Sequence, residues 1–224
     1  MADFDENEEL TQFKHWWAAN GMSIMIGAVV GVVVIVGWQG WRWYHDTRAV
    51  SAAGIYQQVE HAVADGNVND TVIKVVGQLK DDYSGTPYAA DAALRLAGYY
   101  VDEKQYDKAH EQLVWAMDNA STEGVRNIAR VRAARLAWTQ DDADGALKLL
   151  ATDHPESFDA LYAELAGDIH AAQGDREAAY KSYQLALESL PPDTPRQPLE
   201  TKLADNAPAA EADAPADPKS ASAS

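Results

Sequence analysis

The sequence predicts an all-α protein in which a single N-terminal transmembrane helix precedes a stack of antiparallel helical hairpins. Two observations lead to this prediction. Residues 16–41 form an uncharged, mostly apolar run that is long enough to cross the ~30 Å hydrocarbon core of a bilayer. From residue 47 onward alanine is abundant, apolar residues follow helical rather than alternating spacing, and turn-forming residues interrupt the pattern at intervals.

Residues 1–20 form an acidic arm ahead of the apolar run. The arm has one lysine, Lys14, and several acidic side chains: Asp3, Asp5, Glu6, Glu8 and Glu9. Leu10, Phe13 and Trp17 recur at helical spacing. We therefore expect a short interfacial helix that lies on the membrane surface before the chain enters the bilayer.

Residues 21–44 are the predicted transmembrane helix. Aromatic residues, which favour the headgroup region, bracket the apolar run on both sides: Trp16 and Trp17 precede it, and Trp38, Trp41, Trp43 and Tyr44 end it. The alternative is a cleaved signal peptide, which has a basic start, a short apolar region and small residues at the cleavage site. The acidic start, the length of the run and the bulky residues after it favour an uncleaved anchor.

The sequence leaves the orientation of this helix open and offers one pattern for its packing. Lys14 and the terminal amine flank one end, and Arg42 and Arg48 flank the other, so the count of basic residues leaves the topology open. Three small residues recur every four positions, a pattern that allows two membrane helices to approach closely: Ser23, Gly27 and Gly31. The alternative is that glycine is simply common in membrane helices.

Residues 47–190 form the predicted helical domain. Turn-forming residues cut it into about eight segments of helix length, and short connections make sequential helices antiparallel neighbours. These breaks are Gly66-Asn67, Ser84 to Pro87, Asp102 to Lys104, Ser121 to Gly124, Asp141-Asp142, His154-Pro155, Gly174-Asp175 and Pro191-Pro192.

A repeat is visible within this domain. Three equivalent alanines, Ala109, Ala146 and Ala179, are 37 and 33 residues apart. This period, with small residues where paired helices cross and larger ones between them, resembles the tetratricopeptide repeat. The small positions are Ala97, Ala109, Ala134, Ala146, Gly167 and Ala179, and the large ones are Tyr100, Leu113, Leu150 and Tyr183. A single hairpin cannot bury its apolar face, so the repeats must stack. The first pair, 51–64 and 70–80, matches poorly and is a capping or divergent repeat.

Residues 191–224 are rich in Pro, Ala, Asp and Ser and contain two large apolar residues, Leu199 and Leu203. Such a segment buries too little surface to offset its ordering entropy, so a disordered tail is predicted.

Composition excludes several function classes. The net charge of −17 argues against binding to nucleic acid or to an anionic lipid surface. The chain has no cysteine and none of the nucleotide-binding, hydrolase or zinc-protease motifs, and its six histidines lack metal-ligand spacing. Asp141, Asp142 and Asp144 lack the closing Glu of a calcium loop and are interpreted as a turn with a helix N-cap. No enzyme, cofactor or metal is predicted.

The arrangement of these features resembles a known family. The acidic arm with Trp16-Trp17 and Asn20-Gly21, the first hairpin ending in the run from Asp82 to Ala89, and Gln173-Gly174-Asp175 in the repeats are similar to YfgM-type ancillary subunits of the SecYEG translocon. The resemblance covers residues 1 to about 190. It implies a bacterial inner-membrane protein with a cytoplasmic N-terminus and a periplasmic repeat domain. The implied partners are the SecYEG translocon, a membrane-anchored periplasmic chaperone and unfolded secreted polypeptides, which the protein would help to reach periplasmic chaperones.

The tetratricopeptide pattern also predicts a binding surface, because the first helix of each hairpin lines a concave groove. The predicted groove residues are Leu94, Gly98 and Val101, then Val131, Arg135 and Trp138, then Leu161, Glu164 and Asp168. A mixed, partly apolar groove suits extended polypeptide segments. The Lys/Asn pairs that bind C-terminal carboxylates in other such repeats are absent. The alternative is that Leu94, Val131 and Trp138 are core residues in a shifted register.

One helix carries a cluster of basic residues: Arg126, Arg130, Arg132 and Arg135. They would contact an acidic partner or, more commonly, pair with Asp and Glu on neighbouring helices.

Two further functions remain open for the domain. One is a scaffold for envelope assembly or cell division, and the other is a stress-signalling regulator acting through its acidic N-terminal arm.

Overall fold

The computed structural model describes residues 3–208, with the backbone alone for residues 3–10, 12 and 13. The described chain divides into two units between Ser51 and Ala52. The predicted tail beyond residue 208 and the side chains of Leu10 and Phe13 lie outside the described part.

The first unit is helical throughout and belongs to α1 (Asp3–Ala64). Among the described residues, one helical stretch, Lys14–Ala64, is long and apolar enough to cross a membrane by length and composition. Its apolar side chains between residues 22 and 38 are exposed to the surroundings, as lipid-facing side chains would be.

The predicted boundary between an interfacial helix and the span is not observed, because α1 continues through residue 20. Asn20 donates a hydrogen bond from its side chain to the carbonyl of Trp16 (3.0 Å), and the Trp17 indole covers Gly21. The helix also continues past the predicted end of the span at residue 44. No glycine or proline occurs between residues 41 and 53, and Thr47 and Ser51 bond back to the carbonyls of Trp43 and Thr47.

The second unit is the predicted stack of helical hairpins. It contains residues 52–64 of α1 followed by α2 (Asp70–Asp82), α3 (Pro87–Asp102), α4 (Tyr106–Asn119), α5 (Glu123–Thr139), α6 (Ala143–Leu150), a 3₁₀ turn (Glu156–Phe158), α7 (Asp159–Ala172), α8 (Arg176–Glu188) and α9 (Gln197–Asp205). Every predicted break coincides with an interruption between helices. The turns end in N-cap side chains that accept hydrogen bonds from the first helical N–H groups, namely those of Asn69, Thr122, Asp142 and Asp175. The interpretation of Asp142 as a helix cap is therefore confirmed.

The core follows the stack in three consecutive clusters. The first joins α1 to α5, the second joins α5 to α7, and the third joins α7 to α9. All the small and large repeat positions listed above are buried, so their predicted place between packed helices is confirmed. Helix α6 has 8 residues where α4 has 14 and α8 has 13, so the middle hairpin is shorter on one side.

Helix α9 contradicts the prediction of a disordered segment from residue 191. Leu199 is buried in the third cluster, and the Arg196 guanidinium donates to the carbonyl of Leu187 (2.9 Å). Arg176 also donates to the carbonyl of Asp205. Two leucines are therefore enough to order this short helix, because α7 and α8 supply the apolar surface on which it packs.

Candidate functional site

Helices α3, α5 and α7 are the first helices of successive hairpins and run parallel, since each is followed by an antiparallel partner. Their shared face is the predicted groove. Of the nine predicted groove residues, seven lie at least partly exposed and two lie in the core.

Leu94 and Val131 are the two that do not line a surface. Leu94 is 5% exposed in the first cluster and Val131 is 4% exposed in the second. Both were predicted to contact a ligand, and this is wrong because neighbouring helices of the stack cover them. The alternative of a core position therefore holds for these two residues.

Helices α3 and α5 contribute the open part of the groove. Gly98 and Arg135 are exposed, and Val101 is 36% exposed. Trp138 is half-buried and packs partly against the second cluster, as does Leu161 of the third hairpin. A Cβ atom added to Gly98 would meet no described atom within 4 Å, so the groove is open at this point.

The part of the groove formed by α7 is occupied by α9 of the same chain. Lys202 of α9 donates to Glu164 (2.8 Å) and to Asp168 (2.7 Å), and the Tyr183 hydroxyl donates to the same Asp168 carboxylate (2.9 Å). Burial alone would lower the pKa of Lys202, but its hydrogen bonds to Asp168 and Glu164 raise that pKa above its ordinary value. Burial and the bond to Asp168 raise the pKa of Tyr183 as well. The two acidic groove residues thus hold α9 in place.

Two further cations join neighbouring first helices. The sequence interpretation included Arg132 in the basic cluster and missed Arg95. Arg95 on α3 donates to the Tyr56 hydroxyl and to Glu60 (2.8 Å) on α1, and Arg132 on α5 donates weakly to the Leu94 carbonyl (3.5 Å) on α3. Arg95 and Arg132 are 37 residues apart, the same spacing as Ala109 and Ala146. The repeat period therefore contained the signal for this pair.

The basic cluster on α5 does not pair with carboxylates. Within residues 11–208, none of its four arginines has a carboxylate oxygen within 4.0 Å, so the expectation of ion pairs on neighbouring helices is wrong. Arg126 donates to the Ala120 carbonyl (3.3 Å), and Arg130 donates to Asn127 (3.0 Å). The Arg135 side chain makes no hydrogen bond or ion pair with any other described residue.

A second concave feature lies between α6, α7 and α8. It is a mostly apolar cavity of about 470 Å³, with Leu147, Ala166 and Leu185 among its walls and His154 and His170 at its polar side. Leu185 is 49% exposed. The cavity borders the short helix α6, which ends at Leu150 and leaves this side of α7 and α8 less covered.

The described residues offer no group of three or more Asp, Glu or His side chains arranged to hold a metal ion.

The family model described as a tetratricopeptide repeat-like domain matches residues 14–207. The chain belongs to this family. The match extends through α9, beyond the limit near residue 190 that the sequence resemblance indicated.

Curated relatives agree with the resemblance drawn from the sequence. A protein of Escherichia coli K12 named ancillary SecYEG translocon subunit is 30% identical over 83% of this chain and 88% of its own length. Proteins of the same name from Haemophilus influenzae and Neisseria gonorrhoeae are 29% and 28% identical, over 90% and 97% of their own lengths. The predicted family is confirmed. Among solved structures, tetratricopeptide-like repeats of a putative kinesin light chain from Podosopora anserina align with 69% of this chain and 84% of that chain, at 16% identity and a TM-score of 0.49.

Proposed function

We propose that this chain is a translocon-associated adaptor of the bacterial inner membrane, anchored by α1 and binding polypeptide segments through its repeat groove. The observation that carries the proposal is the similarity to ancillary SecYEG translocon subunits along 88–97% of their own lengths. The candidate membrane helix supports the same role, since an anchored groove is concentrated near emerging chains and weak contacts then suffice.

The finer steps of this role belong to the proposal as well. The repeat domain lies in the periplasm and the N-terminus in the cytoplasm. The groove receives unfolded secreted polypeptides and passes them to periplasmic chaperones, including a membrane-anchored one. The open part of the groove, with Gly98, Val101 and Trp138, offers apolar surface beside an exposed backbone, which suits extended segments.

The membrane face of α1 provides the direct test. Gly27 and Gly31 have no described atom near the place of a Cβ, so this face is free to pack on another helix. A photo-reactive amino acid introduced at either position in the full chain, in cells, should crosslink to a subunit of the translocon. The same probe at Gly40, which lies about 140° around the helix from Gly27, is the matched control. If the chain is well expressed and no translocon subunit is trapped from any position, the adaptor proposal fails.

Topology requires its own measurement. A reporter enzyme that is active only in the periplasm, fused after Ser224, should be active. Activity of a cytoplasm-specific reporter at the same position would contradict the periplasmic placement. Proteins that co-purify in mild detergent would identify an envelope-assembly scaffold if division or cell-wall proteins were recovered in place of the translocon.

A further inference from the structure

We propose that the open part of the groove selects polypeptide segments in which acidic side chains lie next to apolar ones, and that Arg135 binds their carboxylates. The proposal rests on the proposed function, because it names the substrate class of the same groove. It begins from an imbalance of charge. The chain has 35 acidic and 18 basic side chains, yet Arg135, an exposed cation of the groove, has no carboxylate oxygen within 4.0 Å among the described residues.

The two acidic side chains of the groove on α7 are already used. Glu164 and Asp168 bind Lys202, which belongs to the chain itself. Asp91 faces Arg95 and Arg132; burial raises the pKa of Asp91, and the two guanidinium groups oppose this shift. Arg95 is further bonded to Glu60. Arg132 donates to the Leu94 carbonyl, so Arg135 is the groove-face guanidinium of α5 that has no hydrogen bond to another described residue.

The position of Arg135 is suited to a bound segment. Arg132 bonds to the backbone of Leu94, and α3 and α5 run parallel, so the next groove-facing turn carries Gly98 on α3 and Arg135 on α5. The turn after that carries Val101 and Trp138. The exposed backbone at Gly98 admits an extended chain, Val101 and Trp138 offer apolar contact, and a planar guanidinium binds a carboxylate through two parallel hydrogen bonds.

Charge complementarity identifies the occupant. The surrounding domain is acidic and repels anionic segments at long range, whereas the groove presents a cation without a carboxylate partner. A basic segment would be attracted to the outside of the domain, but it would meet Arg135 inside the groove. A segment of Leu or Phe with neighbouring Glu or Asp satisfies both the apolar strip and the guanidinium.

Binding of defined peptides to the full chain in detergent tests this proposal. The probes are a fluorescent ten-residue peptide of Leu, Phe, Gly and four Glu residues, and the same peptide with Gln or Lys in place of Glu. We expect the Glu peptide to bind about fivefold more tightly than the Gln peptide at low salt, with the difference shrinking as salt is raised. The Arg135→Gln variant should bind the Glu and Gln peptides equally.

Arg126→Gln is the matched control, because Arg126 is exposed on the same helix but is directed toward the Ala120 carbonyl before α5. It should retain the preference. Gly98→Leu fills the open groove without changing charge and should weaken all three peptides while the helical circular dichroism stays unchanged. Equal affinity of the wild type for the Glu and Gln peptides would overturn the proposal, as would full binding by Gly98→Leu.

Other occupants give different results. If the Glu peptide binds only after deletion of residues 209–224, the chain's own C-terminal segment takes the site and the proposal is wrong. If the Arg135→Gln variant differs from the wild type in oligomeric mass in detergent, the occupant is a second copy of the chain. The proposal is then equally wrong. Crosslinking of α1 to the translocon is independent of Arg135. Loss of charge selectivity with intact crosslinks therefore overturns this inference alone, and loss of crosslinks overturns the proposed function.

Discussion

The ring of Tyr183 on α8 lies directly against the backbone of Gly167 on α7. A Cβ atom at Gly167 would come within 2.6 Å of the Tyr183 ring, a distance that real Cβ atoms do not adopt. The ring cannot easily move, since it is buried and its hydroxyl bonds to Asp168. This contact sets how closely the two helices of the last hairpin approach.

Gly167→Ala should therefore destabilise the repeat domain by about 1–3 kcal/mol, the usual cost of forcing extra atoms into a packed core. Gly98→Ala is the matched control, because it also lies inside a first helix but faces open space. It should be neutral or stabilising by up to about 1 kcal/mol, since alanine favours helix more than glycine does. Urea unfolding of the full chain in detergent, followed by circular dichroism, measures both. Equal effects of the two substitutions would show that the Tyr183 contact does not limit helix approach.

A buried polar contact joins α5 and α7. The Tyr162 hydroxyl donates to Asn127 (2.8 Å), whose side chain donates in turn to the Glu123 carbonyl (3.0 Å), and Asn127 is 2% exposed. Asn127→Ala leaves the Tyr162 hydroxyl with only its long contact to Arg130 (3.5 Å) and should cost about 1–3 kcal/mol of unfolding free energy. Asn119→Ala, at an exposed asparagine that bonds to the Trp115 carbonyl, is the control and should change stability by less than about 0.5 kcal/mol. A small effect at Asn127 would mean that water replaces the lost bonds.

The Lys202 contacts predict sensitivity to alkaline pH. The pKa values of Lys202 and Tyr183 are both raised in the folded chain, so folding favours their protonated forms. Their contribution is complete at neutral pH and is lost as the pH rises above about 10, where these groups begin to titrate in the unfolded chain. The unfolding midpoint of the wild type should fall more steeply above this pH than that of Lys202→Met. Lys148→Met, at an exposed lysine of α6, should follow the wild type. Parallel curves for all three proteins would contradict a stabilising role for Lys202.

The sequence predicted the hairpins well because turns depend on local chemistry. Glycine, proline and capping side chains determine where a helix ends, and the Gly167 and Ala179 positions determine which helices cross closely. The groove was harder to predict. Whether Leu94 points to solvent or to the core depends on how far the next hairpin overlaps the first, which no pattern within α3 records. Helix α9 was missed for the same reason, since its order comes from distant partners such as Glu164 and Ala163.

Arg95 connects residues 52–64 of α1 to α3. Because its guanidinium bonds to both Tyr56 and Glu60, Arg95→Met should loosen the packing of residues 52–64 on α3 and cost about 1 kcal/mol. Hydrogen exchange measured by mass spectrometry should then rise in residues 52–82 and stay unchanged in α7 and α8. A double-mutant cycle with Glu60→Gln separates this pair from lost packing of the arginine stem. Additive effects in that cycle would show that the pair itself contributes nothing.

The face of α1 formed by Ser23, Gly27 and Gly31 should be required for association with the translocon. Leucine at Gly27 and Gly31 keeps the helix apolar but separates it from a partner that approaches closely, so the double variant should lose most of the co-purified translocon. Gly40→Leu is the matched control. Gly40 is equally free of described neighbours, but it lies about 140° around the helix from Gly27. Membrane insertion and helical content should be the same for both variants, which separates docking from folding. If the two variants co-purify the translocon equally, α1 acts only as an anchor, and any association must then depend on the repeat domain.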